Sequence, residues 1–126
     1  MRLPIVFVAA MLAAPWLGAE QMNEAAAVAL LAPRKPLSVR ADSKAPAAAV
    51  ARLHLWVGKD GAVEATEEVC GDRELFDDIV DDVLNFEFKH ASAFQTDISF
   101  VRRGRRVWLV LEMPEASRPK KDICDK

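Results

Sequence analysis

The sequence predicts an α+β domain: a small antiparallel sheet of three to four strands with one long helix packed on one face, in the order β-β-α-β(-β). Three observations carry this. Arg73 to Phe86 reads RELFDDIVDDVLNF, in which Leu75, Phe76, Ile79, Val80, Val83 and Leu84 recur in pairs at helical spacing with Asp77, Asp78, Asp81 and Asp82 between them. LHLWV before it and VWLVLEM after it alternate with the period of two of a strand, each offering one apolar face to a covering helix. Asp60-Gly61 supplies the tight turn that joins the first strand to a second, AVEATEEV.

The 126 residues allow one domain with tails, and 52% hydrophobic with 29% charged residues is a globular balance. Much of the apolar count is alanine in the first half, so the core is small. A net charge of -2 argues against a general nucleic-acid binder. The opening MRLPIVFVAAMLAAPWLGAE places Arg2 before an apolar run and ends it in Leu17-Gly18-Ala19, the layout of a secretory signal peptide over 1–19 with Glu20 as the first mature residue. A retained membrane anchor is the alternative, and with it an inner-membrane protein facing the periplasm. Either way the domain is expected to be exported, periplasmic or secreted. In an oxidising compartment the even count of cysteines predicts a Cys70–Cys124 disulfide, worth about 4 kcal/mol for a closed loop of about 55 residues; two free thiols are the competing reading.

Residues 20–50 are rich in alanine and interrupted by Pro33, Pro36 and Pro46, and read as a linker with one short helix capped by Asn23. The folded domain is expected over 51–113. In its first strand Leu53, Leu55 and Val57 face one way and Arg52, His54 and Trp56 the other. The second strand keeps phase through Val63 and Ala65 and is expected to bulge or end near Glu67. Asp72 is the expected helix N-cap, with Glu74 favourable in the first turn. After the helix, NFEFKHA leaves in an extended path and Ser92 to Thr96 read as loop. Ile98 and Phe100 open a second hairpin that turns at Gly104 and returns through Val107, Leu109, Leu111 and Met113. Residues 114–126 form a polar tail.

LHLWVGKDGAVEATEEV, then FDDIVDDVLNFEFKHA, then RRVWLVLEM together resemble the carboxy-terminal domain of TonB-type energy transducers. The resemblance spans Leu53 to Met113, about half the chain. It departs from the family at Phe86, where tryptophan is common, and at His90, which replaces a proline. It implies a periplasmic domain that offers a sheet edge to a short extended peptide from an outer-membrane receptor, in service of transport. The edge expected to receive such a segment is Arg106, Val107, Trp108, Leu109, Val110 and Leu111, and strand addition would give affinity through main-chain bonds.

Other constellations are weaker. The four helix aspartates fit a solvated face better than a metal site, because no chelating loop accompanies them. His54, His90 and Cys70 lack ligand spacing for zinc and suggest no thiol hydrolase. No catalytic residue, metal ligand or cofactor is assigned, and the protein is read as no enzyme. Arg102, Arg103, Arg105 and Arg106 around Gly104 suit either a protected hairpin tip or an anion-binding patch. Trp56 and Trp108 fall on the strand face opposite the leucines, where a partner, a second copy or the chain's own tail could cover them. The alternative to a peptide-binding module is accordingly a self-associating structural protein of the cell envelope, such as a homodimer, with no transport role.

Overall fold

The structure is a computed structural model that describes residues 19–32 and 36–125. The expected leader or anchor, except for Ala19, lies outside the described residues. The protein is α+β, built on an antiparallel sheet with few helices. Strands β1 (Glu20–Gln21), β2 (Leu37–Ser38), β3 (Val50–Val57), β4 (Val63–Gly71), β5 (Phe94–Arg103) and β6 (Arg106–Leu109) form one six-stranded sheet, with helices α1 (Glu24–Ala29) and α2 (Arg73–Leu84) between them. The order across the sheet is β2-β6-β5-β3-β4, and β1 adds in parallel to β5. The sheet therefore has more strands than the three or four expected. The surplus comes from β1 and β2, two residues each, too short to show a period in sequence.

The alternation in β3 does what its pattern dictates. Ala51, Leu53, Leu55 and Val57 are fully buried while Arg52, His54 and Trp56 are half-buried on the other face. Leu53 lies across from Ile98 and Leu55 from Thr96 on β5, so one layer carries both apolar rows. Against it α2 sets Leu75, Ile79 and Val83, all fully buried. Asp72 precedes α2 as expected, but its side chain makes no cap bond there. It accepts instead from the Val50 N–H at 3.0 Å, while its own N–H donates to the Val50 carbonyl at 2.7 Å. Asp72 thus fastens the start of α2 to the start of β3.

Gly61 has φ of 88°, as the turn requires. It has a second constraint: a Cβ there would lie 2.1 Å from the Phe88 carbonyl oxygen, whose residue donates its N–H to the Gly61 carbonyl at 2.9 Å. The segment leaving α2 is pinned in this way to the β3–β4 turn. Phe88 is buried and bridges to Leu31, which ties in the stretch after α1.

Three expectations are corrected. Residues 20–50 do not behave as a linker: Ala27, Leu31, Leu37, Val39 and Ala49 are buried in the same core as the strands, and burying Leu37 and Val39 is worth about 1.5–3 kcal/mol each. Residues 94–96, read as loop, begin β5, because Phe94 and Thr96 are inward and buried. The last strand stops at Leu109, and Val110–Glu112 turn as a 3-10 helix. The expected cap by Asn23 is present, its side chain accepting from the Ala26 N–H at 2.8 Å.

Candidate functional site

Strand addition needs an edge whose N–H and C=O groups are unpaired. The predicted edge is already taken up in part. Arg106 and Val107 are paired by β2 through Ser38 and Leu37, and the Val39 N–H donates to the Arg105 carbonyl at 2.9 Å. Trp108 and Leu109 complete β6, whereas Val110 and Leu111 lie in the 3-10 turn and are not strand at all. Val107 and Leu109 are buried, so the row's apolar members serve the core. A cleft of about 560 Å³ lies beyond β2, lined by Pro36, Leu37, Ser38, Asp82, Asn85, Phe86 and Glu87.

The open edge is β4, which among the described residues pairs only with β3 along its length. Which of its backbone groups face outward follows from Ser99 on β5. The Ser99 N–H donates to Glu24 Oε2 at 2.8 Å, so it points away from β3, and Arg52 and Ser99 face each other without exchanging backbone bonds. By alternation Arg52, His54 and Trp56 bond toward β4, and the Val50 carbonyl, which accepts from Asp72, has the same sense. Glu67 and Ala65, opposite His54 and Trp56, therefore bond inward. Thr66 and Glu68, opposite Leu55 and Leu53, direct N–H and C=O out of the sheet.

This edge is irregular. The register shifts between Arg52 and Leu53, leaving Val69 as an extra residue, and between Trp56 and Val57, leaving Glu64. The bulge expected near Glu67 thus stands two residues later, with Val69 47% exposed, and the strand runs on to Gly71. Charge surrounds it. Residues 64–87 carry ten carboxylates and one arginine, and that Arg73 lies 3.9 Å from Glu68 and 3.5 Å from Asp77. Of the four helix aspartates, Asp78 is half-buried, with its carboxylate turned inward and held by Arg40 and Ser43; the other three are exposed.

The sheet face opposite the leucines carries a polar row that the sequence did not single out. His54 Nδ1 lies 2.5 Å from Asp97 Oδ1 and its Nε2 lies 2.8 Å from Gln95 Oε1. Arg52 donates to Ser99 Oγ at 2.9 Å and pairs with Asp122 at 3.1 Å. Burial pushes the Glu24 carboxyl above its ordinary value, opposed by the Ser99 N–H and by Arg52. The Cys124 N–H, and then Arg52, hold the exposed Asp122 below its ordinary value. Strand alternation signalled that Arg52 and His54 share a face, but no sequence pattern signalled that Glu24 and Asp122 would arrive there.

Cys70 and Cys124 form a disulfide with Cα atoms 5.6 Å apart. His90 packs edge-on against Phe94, so the two histidines and Cys70 are not brought together. Among the described residues no cluster of His, Cys, Asp or Glu could hold a metal, and no helix is long and apolar enough to cross a membrane. No protein-family model, curated protein or solved structure matches this chain.

Proposed function

We propose that this chain is an exported interaction module that takes an extended partner segment by strand addition, in the manner that its resemblance to the TonB carboxy-terminal domain implies. The observation that carries the reading is the outer edge of β4, where Thr66 and Glu68 offer backbone donors and acceptors that no other described residue takes up. The receiving edge is therefore moved from Arg106–Leu111 to Glu64–Val69. Main-chain bonds would supply affinity, and Glu64, Glu67 and Glu68 favour a partner with lysine or arginine at alternate positions. A periplasmic setting and a role in outer-membrane transport belong to the same proposal, as does removal of residues 1–19.

The experiment is amide exchange with synthetic decapeptides that alternate lysine and valine. Thr66 and Glu68 amides exchange fast in the free chain and slow on binding. Thr66→Pro removes an outward N–H without touching the β3–β4 ladder, and abolishes binding while leaving the fold intact. Binding that survives Thr66→Pro, or fast exchange at both amides in the complex, overturns the assignment. The rival reading, a self-associating envelope protein, would join two copies through the face that carries Trp56 and Trp108 or through a swapped strand. Sedimentation as a dimer at micromolar concentration would favour that rival.

A further inference from the structure

A second surface lies toward the other side of the sheet and uses different residues from the proposed strand-addition edge. Residues 102–122 carry seven cations and three carboxylates. Two segments bring these charges together: the β5–β6 turn, with Arg103, Arg105 and Arg106 exposed around Gly104, and the carboxy-terminal tail, with Lys120 and Lys121 exposed. The tail is held in place at both ends. Arg103 donates to the Ser117 carbonyl at 2.9 Å, and beyond the two lysines Asp122 pairs with Arg52 and Cys124 is bonded to Cys70. The tail thus crosses the end of the sheet at which β5 runs into the arginine turn.

The cations divide by use. Arg102 donates to the Gly104 and Ala45 carbonyls, both at 2.6 Å, and Arg118 to the Met113 and Leu111 carbonyls at 3.0 and 2.9 Å; these two are structural, and Arg103 shares that use through its single bond to the Ser117 carbonyl. Arg103, Arg105, Arg106, Lys120 and Lys121 have no ion pair among the described residues. Beside them opens a mostly apolar recess of about 280 Å³ lined by Arg103, Trp108, Met113, Pro114 and Ser117. The Arg106 guanidinium stacks 4.2 Å above the Trp108 ring at its border.

We infer that this basic pole docks on an anionic phospholipid surface. Such a surface places phosphates directly over an apolar layer, and the pole places guanidinium and ammonium groups directly around an apolar recess. Trp108 sits where an amphipathic ring meets headgroups, and the five cations that have no ion pair among the described residues are attracted by the negative surface potential, each by roughly a fivefold gain in partitioning. Nucleic acid shares the phosphates but gives the recess nothing to cover. Glu112 and Glu115 lie on the same stretch and reduce the attraction without reversing the sign of the segment's charge.

The test is co-sedimentation of the full chain with vesicles of phosphatidylglycerol in phosphatidylcholine, against phosphatidylcholine alone. Residues 3–19 are common to every variant, so differences between variants report the pole. Binding is expected to favour the anionic vesicles by on the order of a thousandfold and to weaken steeply at high salt. The triple variant R103Q/R105Q/R106Q lowers it roughly a hundredfold, and the tail variant K120Q/K121Q about twentyfold. None of the five side chains is buried, so both variants keep the wild-type circular dichroism. Equal binding of the triple variant and wild type to anionic vesicles overturns the inference. So does tighter binding to duplex DNA than to vesicles of equal phosphate concentration.

Discussion

The two edges of the sheet solve one problem in opposite ways. At β4 the chain leaves a long edge open and blunts it with two bulges and with Glu64, Glu67 and Glu68. At β6 it closes a short edge with its own residues 37–39 and gathers cations at the turn below. The open edge can accept a new strand but repels its own kind. The closed edge has Arg105 to Val107 already paired, and what it presents beside them is charge and a half-buried tryptophan. An edge is thus made available or unavailable by a few residues of backbone pairing, irrespective of how apolar its side chains look.

The largest expected effect concerns the disulfide, which links the two regions by tying the tail to the end of β4. With a sequence separation of 54, its reduction should cost about 4 kcal/mol in the chain-entropy model. Urea unfolding with and without reductant measures this. A midpoint that does not move would mean that the tail contributes nothing to either region.

Next comes the strap that closes β6. Leu37 is 7% exposed and sits beside Val107, so Leu37→Ala should cost about 2–3 kcal/mol. A linker residue would cost almost nothing. The same variant should also loosen the pairing that blocks β6 and raise amide exchange at residues 37–39. Unchanged stability would return residues 36–39 to the status of tether and remove the contrast between the edges.

How much of this was legible depended on element length. Eight residues of β3 and twelve of α2 repeat their period often enough to announce themselves, and the stripe of Leu75, Ile79 and Val83 meets Leu53 and Leu55 as the pattern requires. Two residues of β2 have no period to read. Its single inward Leu37, set among prolines and alanines, looks like a tether until the sheet is present to receive it. The same limit hid the candidate site. Whether Arg106–Leu111 forms an edge depends on what pairs with it from 70 or so residues earlier, and strand addition is decided by backbone direction, which Thr66 and Ala65 do not betray by residue type. The cysteines were readable for another reason: an even count in a chain expected to be exported leaves few alternatives.

The smallest effects come from two carboxyls that anchor the polar row from the two ends of the chain, and they have opposite signs. Burial raises the Glu24 carboxyl above its ordinary value of 4.5, so the folded chain holds that proton after the unfolded chain has lost it. Stability therefore falls as pH rises from 4.5 through the folded-state value, and is flat above it. Asp122 is lowered below its ordinary value of 3.8 by the Cys124 N–H and Arg52, so its contribution is present above 3.8 and is lost as pH falls through the folded-state value. Urea midpoints measured across acid pH should then show two limbs. Glu24→Gln, whose amide oxygen can still accept from the Ser99 N–H, should flatten the upper limb alone. Asp122→Asn should flatten the lower limb alone, and only slightly, since solvent screens this exposed pair. If Asp122→Asn changes neither that limb nor the vesicle binding of the tail lysines, the Arg52 contact does not hold the tail. The tail beyond Ser117 would then be fastened to the acidic edge by the disulfide.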